Sequence, residues 1–390
     1  MTSDSGPLRG LRVVELAGIG PGPFAAMLLA DLGADVIRVD RPGRGSSPVL
    51  RDSRLDLLNR GKRSVAVDLK HPDGAEVVLA LAERADVLVE GFRPGVAERL
   101  GVGPERVHAR NPKLVYGRMT GWGQEGPLSH SAGHDINYIA VAGALHPIGR
   151  AGGPPQVPLN LVGDFGGGAL YLVVGVLAGL READRTGQGP VVDAAIVDGA
   201  AHLTTMFSGL LAGGLWSDTR GANLLDSGAP FYDVYETADG LHMSVGALEP
   251  QFYAELVRLL GLADDPAMPA QHDIARWPEM RRRFAAVFAS RSRDEWTKVF
   301  AGTDACVAPV LSVTEAPRDS HLLARATYEE RDGIVQPAAA PRFVGRPAAA
   351  ASAPPPLPGE HTREALTDWG VGGVDAWLDA GAAIQREGDR

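Results

Sequence analysis

Four side chains in this 390-residue chain combine the right type and setting for moving protons: His134, Asp135, Asp164 and Glu249. His134 and Asp164 each open a stretch rich in Gly and Ala that reads as a helix. The first turn of a helix offers free N–H groups and a partial positive charge, which favour a developing anion. An imidazole and a carboxylate placed there can take and return a proton. The same positions have a plainer use. An Asp at a helix start commonly caps it, and that reading covers Asp164, Asp135 beside His134, and Glu249 before Pro250. A lone histidine is more often a satisfied, partly buried side chain. Residue type alone leaves both assignments open.

A second chemistry is suggested by charge. Between Arg38 and Arg63 there are eight basic residues against three acids, in a chain whose net charge is −10. A local positive excess fits a phosphate-bearing ligand; a solvated basic loop fits equally. Arg38, Arg41, Lys62 and, further on, Arg93 are the candidate phosphate contacts. The remaining histidines and acids are scattered without metal-ligand spacing, so no metal is expected, and an acidic chain gives no footprint for nucleic acid.

The segment 18–23, GIGPGP, lies between a strand-like run and a helical pattern, with Asp40 about 20 residues on, as in a dinucleotide site. Proline stands where the third glycine belongs, and Pro21 removes another N–H. The expectation is a tight strand-to-helix connection and no nicotinamide cofactor.

The elements that must carry these residues alternate. Residues 11–16, 35–40, 64–69, 86–92 and 114–120 read as strands, with helical patterns at 23–32 and 72–85 between them. That order predicts an α/β fold, a parallel sheet covered on both faces. Helices are expected at 134–145, 164–181 and 191–211. From residue 228 the texture changes: 231–236 and 241–245 flank an Asp-Gly turn, the signal of a hairpin. Helices then start at Pro250, Pro278 and Arg293, with a strand at 306–311. The expected division is a large Rossmann-like domain over 1–215, a smaller α+β domain over 228–318, and a return segment over 319–390. The Ala/Pro run at 347–358 is a semi-rigid linker. One cysteine, no leader-like N-terminus and an apolar run (165–180) short of a membrane span point to a cytoplasmic protein without membrane or disulfide.

Several stretches together resemble the family III CoA-transferase (CaiB/BaiF) superfamily and, within it, the 2-methylacyl-CoA racemases. They include LRVVELAGIGPGPFAAMLLADLGADVIRVDRPG, LVYGRMTGWGQEGP, AGHDINY, LNLVGDFGGG, GALEPQFY and TDACVAPVL. The resemblance runs from residue 11 to about 362. It implies two domains joined by long linkers in an interlocked homodimer. It implies a racemase that takes an acyl-CoA thioester, with CoA as part of the substrate and no separate cofactor. His134 and Asp164 would be the two acid/base groups, with Asp135 beside them. Glu249 would pair with the histidine across the subunit interface. Arg41, the backbone of Ala66, Val67, Asp68 and Leu69, and Gly133, Ile136, Asn137 and Tyr138 would contact CoA. The alternative it allows is a CoA-transferase with Asp164 as nucleophile through a mixed anhydride. Transferases of the superfamily typically carry Tyr where this chain has His134, and residues 245–250, VGALEP, lack their glycine-rich loop.

Overall fold

The computed structural model describes residues 6–43, 50, 52–345 and 353–387. Two compact units divide the chain: residues 1–142, 158–204 and 339–390 form one, residues 143–157 and 205–338 the other. The division departs from the expected one at each border. Residues 205–215 belong to the second unit, as does the excursion 143–157, and the return to the first unit comes at 339.

The first unit is built on a seven-stranded sheet. Its strands are β1 (Arg12–Leu16), β2 (Asp35–Asp40), β3 (Lys62–Val67), β4 (Val87–Glu90), β5 (Val115–Thr120), β6 (Val191–Ala195) and the two-residue β12 (Ala383–Ile384). The order is β12-β3-β2-β1-β4-β5-β6, with all pairs parallel except β12 on β3. Strands β1 to β6 thus have the Rossmann order, which reverses between β1 and β4.

The alternation of each strand feeds two cores. Val14, Leu16, Ile37 and Val39 pack on one face with the Gly74–Ala82 helix and the C-terminal residues Leu366 and Trp369. Val13, Val36, Val87 and Val89 pack on the other with Ala25, Leu29, Leu172 and Val176. Trp369 also donates its indole N–H to Asp35 at 2.7 Å, which ties the returning C-terminal segment to the sheet.

Two expected helices differ. The 191–211 pattern begins as β6, whose Val191 and Val192 pair with Tyr116 and Gly117. It then continues as the helices Ile196–Leu203 and Thr205–Ala212. The 164–181 pattern starts earlier, as a π-helix over Leu161–Ala169, and runs on as the helix Leu170–Thr186. Together they give 26 helical residues, long and apolar enough to cross a membrane by length and composition. Leu172 and Val176 are nevertheless core residues on the sheet.

The second unit has its own aromatic core of Phe231, Tyr235, Phe284, Phe288, Trp296 and Phe300. β7 (Tyr232–Glu236) and β8 (His242–Gly246) form the expected antiparallel hairpin, and Gly240 supplies its positive φ of 74°. β9 (Val307–Pro309) adds to β8, and β10 (Tyr328–Arg331) pairs with β11 (Ile334–Pro337).

Candidate active site

A cavity of about 1110 Å³ opens within the first unit, at the carboxyl ends of β1, β4 and β5. Its walls include Gly18, Ile19, Gly20 and Pro21 after β1, Gly91, Phe92, Arg93 and Pro94 after β4, and Thr120 at the end of β5 with Gly121 and Trp122 after it. This is the point where the strand order reverses, the usual ligand crevice of an open α/β sheet. The GIGPGP loop is therefore more than a connection: it is one wall of the cavity.

His134 and Asp164 both line this cavity. His134 is the N-cap of the Asp135–Val141 helix, and its backbone N–H donates to Asn137 Oδ1 at 3.1 Å. That backbone bond fixes the cap while the imidazole stays exposed. Asp164 is not a cap. The N-cap of its helix is Asn160, and Asp164 lies in the first turn of the π-helix. Asn160 donates its side-chain amide to Asp164 Oδ2 at 3.2 Å. Burial raises the Asp164 carboxyl above its ordinary value, Asp135 adds to the rise, and Asn160 and His134 oppose it. A carboxylate so placed is a stronger base than one in water.

Asp135 has a different place from the one expected. It is buried, and its Oδ1 accepts the backbone N–H of Asp164 at 2.6 Å. It orders the two helices around the cavity and is absent from the lining, so it holds Asp164 rather than meeting a ligand.

Tyr138 closes the same corner. Its hydroxyl donates to the Gly133 carbonyl at 2.5 Å and its ring meets Trp122 edge-on at 4.8 Å. Burial and the nearby Asp164 raise its pKa, with Arg93 opposing. A Cβ on Gly121 would lie 2.0 Å from the Tyr138 ring, so the glycine of residues 121–123, GWG, makes room for it.

Sequence reasoning missed Asn160, Gly121, Trp122 and Gly20. Gly20 has φ 69°, and a Cβ there would stand 3.1 Å from Asp164 Oδ2. The signal for Gly20 was the glycine-rich turn at 18–23, expected only as a connection; Gly121 and Trp122 lie in a second such turn after a strand.

The family model for CoA-transferase family III matches residues 8–362. The chain belongs to CoA-transferase family III. Among its relatives, the protein named alpha-methylacyl-CoA racemase in Mus musculus is 48% identical over 364 residues, covering 93% of each chain. Its Homo sapiens counterpart of the same name is 48% identical over 368 residues, again 93% of each. A solved CAIB/BAIF family protein from Brucella suis superposes with a TM-score of 0.79 at 26% identity, over 94% of this chain and all of that one.

Within this family III chain the expected CoA contacts divide. Gly133, Asn137, Tyr138 and Arg93 line the cavity, and Arg93 and Arg41 are exposed. Ile136 is 40% exposed but lies outside the lining. Arg38 and Lys62 are corrected: both are buried and face the protein interior. Lys62 Nζ donates to Glu15 at 2.6 Å and to the Pro23 carbonyl at 3.0 Å, and burial pushes its pKa down to about 8. Arg38 pairs with Asp40 at 2.9 Å and with Glu15.

The basic excess is largely answered by acids from elsewhere in the chain. Arg60 meets Asp31, Arg63 meets Asp35 and Asp368, and Arg54 meets Glu360. Arg44 and Arg51 lie outside the described residues. The N–H groups of Ala66 and Asp68 donate to Thr362 Oγ1 at 3.1 Å and to the Ala382 carbonyl at 3.0 Å. Val67 pairs with Ala383 of β12, and Leu69 packs on the core.

Glu249 lies in the second unit as N-cap of the Pro250–Leu259 helix, with no side-chain cap bond. It is exposed, and its charge raises the thiol pKa of Cys306 after burial has done so. The capping explanation for Glu249 therefore fails.

Proposed function

We propose that the chain is a 2-methylacyl-CoA racemase, inverting the α-carbon of a CoA thioester. The observation that carries this is the pairing of His134 and Asp164 in one cavity, in a chain so similar to proteins named alpha-methylacyl-CoA racemase. An α-proton of a thioester is weakly acidic. One group takes it, the C–H electron pair moves toward the thioester oxygen, and the resulting enolate is reprotonated on its other face by the second group. Each residue is base for one enantiomer and acid for the other. The raised carboxyl of Asp164 suits both roles, because it takes up a proton more readily than an ordinary aspartate and is more often protonated, ready to return one. Helix N-termini at His134 and beside Gly20 favour the negative charge of the enolate. CoA belongs to the substrate, and no further cofactor is needed for this chemistry.

The runner-up is CoA transfer with Asp164 as nucleophile, favoured by its carboxylate facing the cavity in a family named for that reaction. Incubation in D2O separates the two. A racemase labels the α-carbon of 2-methylbutanoyl-CoA with no added acceptor; a transferase moves CoA to a free carboxylate and leaves the α-hydrogen in place.

The acting form is proposed to be a cytoplasmic homodimer, in which Glu249 of a second copy orients the His134 imidazole. The exposed, uncapping carboxylate of Glu249 supports this, as do the exposed apolar side chains Leu161, Leu170 and Val174. Sedimentation is expected to give a dimer at all concentrations where activity is measured; a fully active monomer would overturn the assembly.

Arg41 is proposed to hold CoA phosphate. Arg41→Ala is expected to weaken CoA binding by about tenfold at low salt and by less at high salt, since exposed charges are screened. Calorimetry at two ionic strengths checks it, and equal affinity of both proteins at low salt would remove Arg41 from the phosphate site.

A further inference from the structure

Glu90 is a buried carboxyl that the proton transfer does not use. It ends β4, and the residues that follow it, Gly91, Phe92, Arg93 and Pro94, line the cavity. Its Oε2 accepts the Phe92 N–H at 2.6 Å, and its Oε1 stands 3.6 Å from Arg118 Nε on β5. Arg118 in turn donates to Gln124 Oε1 at 2.7 Å and to Glu98, and the Gln124 N–H donates to Asp193 on β6 at 3.1 Å. One carboxylate is thus joined to the turn after β4 and, through Arg118, to the segment after β5 that forms another wall.

The cluster is under-satisfied for its burial. Arg118 Nε and Gln124 Nε2 are buried without a hydrogen-bond partner. A buried carboxylate is costly unless several donors meet it, and a neutral side chain would sit here more stably. A charge kept at that cost, next to a ligand wall, has a use in the wall.

We propose that Glu90 is a positioning residue for substrate binding, whose carboxylate clamps the turn at 91–93 and so sets the Arg93 guanidinium against the acyl-CoA. The inference rests on the reading of this cavity as the acyl-CoA site. Arg93 lines the cavity, and its charge is felt at Tyr138, on the wall that carries His134. A charge-assisted bond to the Phe92 N–H holds the turn more firmly than a neutral one.

The groups that face Glu90 are Arg118 and Tyr116 from β5, Glu98 from the Val96–Arg99 helix and Asp193 from β6. Burial pushes the Glu90 pKa up to about 7, against the Phe92 N–H and Arg118, with Glu98 and Asp193 adding to the rise. Ionised Glu90 shares Arg118 with Glu98, and its action on an anionic substrate is through the turn it clamps.

The test compares wild type with Glu90→Gln, which keeps an acceptor for the Phe92 N–H and cannot ionise. Calorimetry with 2-methylbutanoyl-CoA gives Kd from pH 5.5 to 8.5, and α-deuterium uptake gives KM and kcat. For wild type, Kd and KM are expected to rise about fivefold between pH 8 and pH 6, the ratio between a charge-assisted and a neutral bond. Glu90→Gln is expected to show the higher value at every pH, with kcat within about twofold of wild type.

Thermal stability supplies the second readout. A carboxyl with a raised folded pKa stabilises fully below its unfolded value and loses that contribution as pH rises through about 7. Glu90→Gln is therefore expected to raise Tm at pH 8 by about 2 °C, with no gain at pH 5. A variant that is more stable and binds less tightly distinguishes positioning from support of the fold.

The inference is overturned if Kd of Glu90→Gln equals that of wild type across the pH range, even with normal α-exchange. If the Kd profiles differ as expected while wild type exchanges no α-hydrogen, Glu90 keeps its role and the racemase reading falls. If wild type binds no CoA thioester, both fall.

Discussion

His134→Ala and Asp164→Ala are each expected to lower inversion of a 2-methylacyl-CoA by about 10²–10⁴, the usual worth of a general acid/base group. Both side chains line the same cavity; His134 is the N-cap of its helix, and Asp164 lies in the first turn of its own. Exchange without inversion survives in part, because the remaining base can still remove a proton and return it on its own face. In D2O the wild type should label both enantiomers. Each variant should lose exchange from one enantiomer preferentially, and the two variants from opposite ones. Equal enantiomer preference in both would sink the two-base assignment.

The acid limb of kcat/KM carries a further mark. Asp164 as base must be ionised, and burial raises its carboxyl. Activity in the direction it initiates should therefore fall at a higher pH than an ordinary aspartate would give. Asn160→Ala removes a donor that opposes the rise, so it should move that limb higher still. A limb that stays in place would show that Asp164 is not the titrating base.

His134 and Asp164 were legible as candidates because each stands near a helix start, inside a stretch that resembles the racemases. The sheet was legible for a simpler reason: β-branched runs at β1 to β5 alternate with helical patterns, and only a parallel sheet satisfies that order. β6 was hidden because its five residues, VVDAA, run straight into a helix with no turn residue between. The π-helix could not be read at all, since its apolar period differs little from that of an α-helix.

Charge misled most. Arg38 and Lys62 look like a phosphate patch in one dimension, but Glu15 is brought to both of them by strand pairing. Ion pairs formed across 23 and 47 positions leave no local trace. The same holds for Asp135. Adjacent to His134 in sequence, it is directed in space to the Asp164 backbone.

Gly199→Ala tests how the π-helix that carries Asp164 is held, and its expected effect on stability is large. In an isolated helix the change would be favourable by about 1 kcal/mol, because alanine loses less backbone entropy than glycine. Here the Ile196–Leu203 helix crosses the Leu161–Ala169 π-helix backbone to backbone. A Cβ at 199 would lie 1.8 Å from the Gly167 carbonyl oxygen and 2.6 Å from its carbon. The reverse holds as well, for a Cβ at 167 would meet the Ala200 nitrogen at 2.6 Å. Neither obstacle is a side chain that can rotate away, so the helices must separate. Overpacking of this kind typically costs about 1–3 kcal/mol, and backbone on both sides puts this case at the upper end. Thermal unfolding should show Tm lowered by roughly 5 °C or more. Activity should fall further than stability alone explains. Asp164 is three residues from Gly167 on the same helix, and a displacement of about 1 Å at a reacting group can cost about 10²-fold. Wild-type stability in Gly199→Ala would mean that the two helices do not approach this closely, and the glycines of residues 163–168 would then need another explanation.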